Sequence, residues 1–387
     1  MKMSYIYLDH AATTPMHPAV VEEMTRYMQG HFGNASSVHR IGRETKQYLN
    51  QARDRIAARL RCHPNELVFT AGGTESDNMA LFGAVSYERD RTGKKHIITS
   101  QIEHHAVLHA CEQLERMGVE VTYVPVDTSG RVRLEDIEAA IRPDTVLISI
   151  MYGNNEVGTL QPIREIGELA RSKGIRFHVD AVQALGACPL DLSELPVDLM
   201  SLSSHKINGP QGVGALYISR RTTIDPLLFG GSQERKRRSG TENIAGILGF
   251  AKAVELATDV LDDKIQFASH LRNTMFDQLQ AQLGAQHVVL NGHVSEHLPH
   301  ILNISLIGVS TETMLMNLDM EGIAAASGSA CTSGSLELSH VLQAMHLPEE
   351  VLRSAVRFSF GLGNTIEDVE ETIAKIATIY TRLRNRD

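Results

Sequence analysis

The sequence predicts an α/β protein: a large domain on a mostly parallel seven-stranded sheet, with a smaller α+β domain beside it. Two observations carry this. From about residue 65 to 220, short β-branched or apolar runs alternate with helix-period stretches. Strands separated by crossover helices imply a mostly parallel sheet covered on both faces. The second observation is length: 387 residues exceed one ordinary core.

The predicted strands are Leu67–Thr70, His96–Thr99, Val121–Val124, Val146–Met151, Ile175–Val179, Asp198–Leu202 and Val213–Ile218. Helical patterns such as Ala106–Met117 and Ile163–Lys173 fill the gaps. Beyond Thr241 a long helical stretch runs from Ile244 to about Leu283. Shorter strands (Val288–Leu290, Ile301–Ser305, Ile323–Ala326, Ala355–Phe360) and a last helix from Ile366 to about Leu383 follow. We place the large domain at residues 16–260 and the small domain at 1–15 with 261–387, although patterning alone leaves open which unit the first residues join.

Composition narrows the function. Apolar residues make up 42% and charged residues 21%, an ordinary globular mixture. No run approaches the roughly 18 to 20 apolar residues of a membrane span. Patterned sequence begins at Tyr5–His10, so neither a signal nor a transit peptide is expected, and cytoplasmic residence is. A net charge of −9 argues against direct nucleic-acid binding, which needs a basic surface. Cys62, Cys111, Cys188 and Cys331 lie far apart without a C-x-x-C pair, which fits neither a disulfide framework nor a zinc knuckle.

Ligands of such sheets gather at the carboxyl ends of the strands. Polar residues suited to chemistry fall there: Gly72-Gly73-Thr74-Glu75, His104, Asn154-Asn155-Glu156, Asp180 and Ser203-Ser204-His205-Lys206. Lys206, directly after a strand, is placed to form a Schiff base with an aldehyde cofactor. A lone lysine is more often a surface residue, but the surroundings point elsewhere. Pyridoxal phosphate needs such a lysine, an acid against its pyridine nitrogen, and donors around its phosphate. Asp180 suits the nitrogen, since a carboxylate there keeps it protonated by charge pairing; a helix N-cap is the plain alternative. Gln183 could reach the ring's phenolic oxygen. The glycine turn before Thr74 has the layout of an anion cradle, with free N–H groups at a helix start; a simple tight turn reads the same. His104 precedes a helix whose positive end favours neutral imidazole, able to stack on a ring and take a proton; a capping histidine is the alternative.

At this point the residues resemble a family. Asp9-His-Ala-Ala-Thr-Thr14, Phe32-Gly-Asn34, Gly73-Thr-Glu-Ser-Asp-Asn78, Glu103-His104, Asn154-Asn-Glu156, His178-Val-Asp-Ala-Val-Gln183, Ser204-His-Lys206, Arg238-Ser-Gly-Thr241, Ser327-Gly-Ser-Ala-Cys331 and Arg357-Phe-Ser359 follow one another in order. Together they resemble the class I cysteine desulfurases, the NifS/IscS-like enzymes of the aminotransferase class V group, from residue 5 to about 380. The resemblance implies the fold type I of pyridoxal-phosphate enzymes and a homodimer that removes sulfur from L-cysteine, giving L-alanine and a persulfide on Cys331. Lys206 would carry the cofactor and move protons. Asp180 and Gln183 would bind its ring, and His104 would stack on it and assist proton transfer with the substrate thiol. Thr74, Ser203 and His205 would hold its phosphate, with Thr241 of the second subunit. Asn34, Asn155 and Arg357 would hold the substrate carboxylate, Asn155 also lying among the cofactor's contacts. The acceptor would be an iron–sulfur scaffold protein or a tRNA-thiolating enzyme. From the residues alone, Arg357 sits on the polar face of an alternating strand, and arginine pairs bidentately with carboxylates; a surface salt bridge is the alternative.

Three positions depart from the family's usual pattern: Ala35 for proline, His105 for lysine, and a basic run, Arg235-Lys236-Arg237-Arg238, denser than expected. That run reads as a solvated loop or as a contact for an anionic partner.

Setting ranks the cysteines. Cys111 reads as helix core, Cys188 packs before Pro189, and Cys62 has no site motif nearby. Cys331 alone lies in a small, polar stretch, Ser327–Ser335, suited to a thiolate nucleophile that must reach a pocket and then an acceptor. A selenocysteine lyase-like enzyme on the same scaffold is the alternative reading. A more distant one is a non-catalytic metal-binding protein using His105 and His109; no metal site is expected.

Overall fold

In a computed structural model of the chain, residues 5–328 and 338–384 are described, and Cys331 lies outside them. The chain begins with β1 (Ile6–Tyr7), α1 (Pro18–Gly30) and α2 (Arg40–Leu60). The predicted alternation follows: β2 (Leu67–Thr70), α3 (Gly73–Thr92), β3 (His96–Ser100), α4 (His105–Arg116), β4 (Glu120–Val124), α5 (Leu134–Ala140), β5 (Thr145–Ser149), α6 (Ile163–Ser172), β6 (Arg176–Asp180), β7 (Leu199–Ser203) and β8 (Gly214–Ile218).

These strands form one sheet in the order β2-β8-β7-β6-β5-β3-β4. Pairing is parallel from β4 through β7, and β8 runs against both β7 and β2. The strands β3, β5, β7 and β8 are buried at every position, which is why they read as continuous apolar or β-branched runs rather than alternating ones. Edge strand β4 starts on exposed Glu120. Helix α6 shows the covering pattern: Ile163, Ile166, Gly167 and Ala170 make its buried stripe. Where β8 passes the turn after β2, only glycine fits at position 214; a Cβ would stand 2.8 Å from Gly72 Cα and 2.5 Å from the Leu202 carbonyl.

The single long helix expected from Ile244 to about Leu283 is two helices, α7 (Ile244–Asp259) and α8 (Leu261–Leu283), broken at Val260 (φ −122°, ψ 29°). The reason lies in packing. Ile247, Phe250 and Val254 of α7 join the core under the large sheet, whereas Leu271, Met275 and Leu279 of α8 join a second core. A straight helix could not face both.

The second core lies under β9 (Val288–Asn291), β10 (Ile301–Leu306), α9 (Thr311–Met320), β11 (Ile323–Ala324), β12 (Ala355–Ser359) and α12 (Ile366–Arg384), whereas α10 (His340–Ala344) and α11 (Glu349–Leu352) pack on the first. Strands β12-β10-β9 are antiparallel. Strand β1 pairs in parallel with β11, and Ile6 and Leu8 enter this second core. The chain then crosses to the first core, which Ala11 enters while its N–H still donates to Ser359 Oγ of β12 at 2.8 Å. Among the described residues no helix is long and apolar enough to cross a membrane.

The basic run is held by a buried carboxylate. Glu234 accepts from Arg53 Nη1 at 2.9 Å, from Arg53 Nη2 at 2.5 Å and from the Phe69 N–H at 2.9 Å. This keeps Glu234, Arg235 and Lys236 in left-handed backbone conformation, at φ 42°, 59° and 65°. Arg235 and Lys236 are exposed, whereas Arg237 donates to the Asn65 carbonyl and Arg238 to Glu75. Removing one partner of a buried pair strands the other charge. Arg53→Ala should therefore lower stability by about 3–5 kcal/mol, measured as a shift of the urea midpoint; an unchanged midpoint would show that the pair is dispensable.

Candidate active site

The ends of β2, β5, β6 and β7 open on one cavity of about 220 Å³. Thr74, His104, Asn155, Asp180, Gln183, Ser203, His205, Lys206 and Arg357 all line it, so nine of the residues singled out from sequence converge. Asn34 does not: it is exposed, and its Oδ1 accepts from the Ser36 N–H at 2.8 Å. Thr241 is exposed and also off the cavity.

Lys206 sits at the end of a single 3-10 turn, Ser204–Lys206, that ends β7. Its Nζ donates to the carbonyls of Ala11 and Ala12, the latter at 2.8 Å. The crossing segment after β1 therefore aims the amine. Gln183 is tied to the same segment, donating from Nε2 to the Ala11 carbonyl at 2.9 Å.

Asp180 ends β6 and is buried, with Oδ1 accepting from the Val182 N–H at 2.9 Å. Burial raises its carboxyl to about 6, opposed by that N–H and by the positive charge of Lys206. Near it lie two more buried carboxyls. Burial, then the charge of Asp180, raises Asp77 well above the ordinary range. Burial raises Glu103 to about 8, although Ser100 Oγ donates to it at 2.5 Å. Glu103 is therefore mostly neutral near pH 7, and Asp180, which shares the cavity wall with Asp77, has the charge of Lys206 to favour its ionised form.

The phosphate-type cradle has separate supports. Helix α3 begins at Gly73, so its first N–H groups lack partners within the helix. A Cβ at Gly73 would stand 2.6 Å from Val182 Cγ2, so the close approach of α3 to the β6 end requires glycine. Glu75 braces the turn, accepting from the Ala71 N–H at 2.7 Å and from Arg238 Nε at 2.7 Å. Ser203 Oγ is buried without any hydrogen-bond partner, and His205 Nδ1 meets Thr13 Oγ1 at 3.1 Å. An unpartnered buried hydroxyl beside a helix start suits a bound anion.

His104 is the capping histidine of α4 and also lines the cavity. Its Nδ1 accepts from the Ala106 N–H at 3.1 Å. Burial, then the charge of Lys206, lowers it to about 4, so it is neutral at pH 7. The capping bond assigns the remaining proton to Nε2.

Arg357 differs from expectation. Strand β12 is buried at every position and has no polar outer face. Arg357 is 1% exposed, donating from Nη1 to the Asn155 carbonyl at 2.8 Å and from Nη2 to Asp9 at 2.7 Å. Its Nε is buried and unpartnered, a donor left for a ligand.

Sequence reasoning gave no individual role to Glu156. It is buried; Oε2 accepts from Ser339 Oγ at 2.5 Å, and a Cβ on Gly328 would stand 2.7 Å from the same oxygen. One carboxylate thus ties together the two chain ends that flank residues 329–337. His105, the departure from the family pattern, stacks on His109 with ring centroids 4.8 Å apart and lies 4.7 Å from His340. No group of three His, Cys, Asp or Glu among the described residues is arranged to hold a metal, so the metal-binding reading lacks a ligand set.

An amine facing a buried carboxyl, with an anion cradle and an unpartnered serine hydroxyl, fits pyridoxal phosphate. The sequence matches the aminotransferase class-V family over residues 6–372. The chain belongs to that family.

Class-V aminotransferases and the cysteine desulfurases among them depend on pyridoxal phosphate. The cysteine desulfurase IscS of Methanosarcina thermophila is 49% identical over 98% of this chain and 93% of its own. A solved NifS-like protein superposes with a TM-score of 0.91 at 36% identity, covering 98% of this chain and 100% of the other. SspA, solved in complex with cysteine, gives a TM-score of 0.78 at 34% identity, covering 92% and 99%.

In this class-V protein, the state of Asp180 sets a pH dependence. Folded and cofactor-free, it titrates near 6, above its unfolded value of 3.8, so it costs stability as pH rises from the ordinary carboxylate range to about 6. A protonated ring nitrogen, were one held beside it, would reverse that cost. The stabilisation conferred by pyridoxal phosphate should therefore grow as pH rises through about 6, read as the difference in melting temperature with and without cofactor. In Asp180→Asn the difference should lose this rise; an identical rise in the variant would assign it to another group.

Proposed function

We propose that this chain is a pyridoxal-phosphate-dependent cysteine desulfurase that converts L-cysteine to L-alanine and carries the released sulfur as a persulfide on Cys331. The convergence of Lys206 and Asp180 on one cavity, in a chain so similar to cysteine desulfurases, carries the reading. Pyridoxal phosphate, when bound, delocalises the electron pair left as the substrate Cα loses its proton.

The protein's own groups do the rest. Thr74, Ser203, His205 and the first N–H groups of α3 hold the phosphate, joined in a homodimer by the partner subunit's Thr241. Asp180, ionised, keeps the ring nitrogen protonated, and Gln183 holds the ring oxygen. The Nε of Arg357, with Asn155, takes the substrate carboxylate. Lys206 removes the Cα proton and returns one when alanine leaves. His104, neutral with its proton on Nε2, stacks on the ring and exchanges a proton with the substrate thiol; its Nδ1 is occupied by the cap.

The sulfur step needs a thiolate. Burial raises the thiols of Cys62 and Cys188 to about 12 and that of Cys111 higher still, so these three stay protonated. Cys331 remains. Its sulfur attacks the substrate sulfur, an S–S bond forms, and the substrate C–S bond breaks with its electron pair moving to the carbon fragment. An acceptor protein, an iron–sulfur scaffold or a tRNA-thiolating enzyme, then takes the persulfide sulfur.

Cys331→Ala should keep the cofactor and its yellow colour yet lose steady-state release of alanine from cysteine by at least about 100-fold, the scale of removing a nucleophile. Turnover at the parental rate would refute the assignment.

A further inference from the structure

Behind Lys206 lies a second, smaller chamber of about 20 Å³, whose walls include Lys206, His10, Lys264, His300 and Gly361. Space of that size holds one water molecule or one monatomic ion. Most polar groups around it are committed elsewhere. Gln183 Nε2 donates to the Ala11 carbonyl at 2.9 Å, Asn208 Nδ2 to the Pro15 carbonyl at 2.9 Å, and Thr14 Oγ1 to the His205 carbonyl at 2.7 Å.

Three groups are not committed. His10 is 3% exposed, and neither ring nitrogen makes a hydrogen bond, although the Asn364 amide and the Tyr7 carbonyl lie near. Its ring is pinned by Gly361, where a Cβ would collide with Nδ1. His300 and Lys264, both half-buried, make no side-chain hydrogen bond or ion pair among the described residues. All three can donate, and no carboxylate lines the chamber.

The charge balance is one-sided. Burial lowers Lys264 to about 8, which leaves it mostly protonated at neutral pH. Burial, then neighbouring groups led by Lys264, lowers His300 to about 3, and at neutral pH the cations acting on this spot are Lys264, Lys206 and Arg357. Lys264 is half-buried, and an ammonium partly withdrawn from water without a counter-charge favours a nearby anion.

We propose that this chamber binds one small monovalent anion, chloride or hydrosulfide, between His10, His300 and Lys264, behind the amine of Lys206. The two neutral imidazoles each contribute an N–H, and Lys264 contributes the charge. Bound there, the anion offsets the cationic field acting on Lys206. The inference needs only the chamber and holds whether or not the chain is a desulfurase.

Chloride NMR linewidths on holoenzyme prepared free of chloride test it. The parental protein should broaden the chloride signal in excess of an equal concentration of a denatured control. That excess should be lost in Lys264→Met and in His300→Gln, both checked for retained cofactor absorbance. Sulfate, too large for the chamber, should leave the excess in place at equal ionic strength. Hydrosulfide should remove it, and hydrosulfide acting at lower concentration than bromide would identify it as the preferred occupant, the reverse order chloride. No excess broadening by the parental holoenzyme, or the same excess in both variants, would overturn the proposal and leave a water in the chamber.

Discussion

A carboxylate that must stay charged is placed where burial favours its neutral form, and the architecture around the cavity answers to that constraint. Asp180 sits at the carboxyl end of β6 and is buried. The Val182 N–H and the charge of Lys206 pull its proton affinity down, while desolvation pushes it up. Burial raises Asp77, which also lines the cavity, and Glu103 as well, so of the three carboxyls Asp180, beside the charge of Lys206, is the one whose ionised form is best supported. A protonated ring nitrogen would complete the balance. In the proposed function the cofactor is thus the counter-charge this site lacks without it.

The rest of the fold serves that pairing from two sides. The parallel strands bring Asp180, Ser203 and Lys206 to a common edge, as parallel sheets do. The segment after β1 comes across from the second core and fixes Lys206 and Gln183 through the backbone carbonyls of Ala11 and Ala12. Its Asp9 also holds Arg357, reaching from β12. The cavity is therefore closed by elements of both cores, and any slippage between them would misplace the amine and the arginine together.

Much of this was legible in the sequence, for physical reasons. Strands buried on both faces give uninterrupted apolar runs, so β3, β5 and β7 declared themselves, and the polar residues following them marked the cavity. What escaped depended on tertiary contact. The break at Val260 has no glycine or proline to announce it; it follows from two cores competing for one helical stretch. Arg357 read as a residue on a polar strand face because alternation cannot reveal that Asp9 and the Asn155 carbonyl cover it. Ala11 and Ala12 act through carbonyl oxygens, which no side-chain pattern displays. Glu156 was visible as a polar residue after a strand, but its hold on Ser339 and its contact with Gly328 joins positions far apart in sequence.

In the proposed enzyme the amine of Lys206 and the acid of Asp180 face one bound aldehyde. Borohydride reduction of the purified, yellow protein followed by peptide mapping tests this most directly. The cofactor should be found covalently on the peptide that contains Lys206 and on no other. Label on a different lysine, or a protein that takes up no cofactor at all, would contradict it.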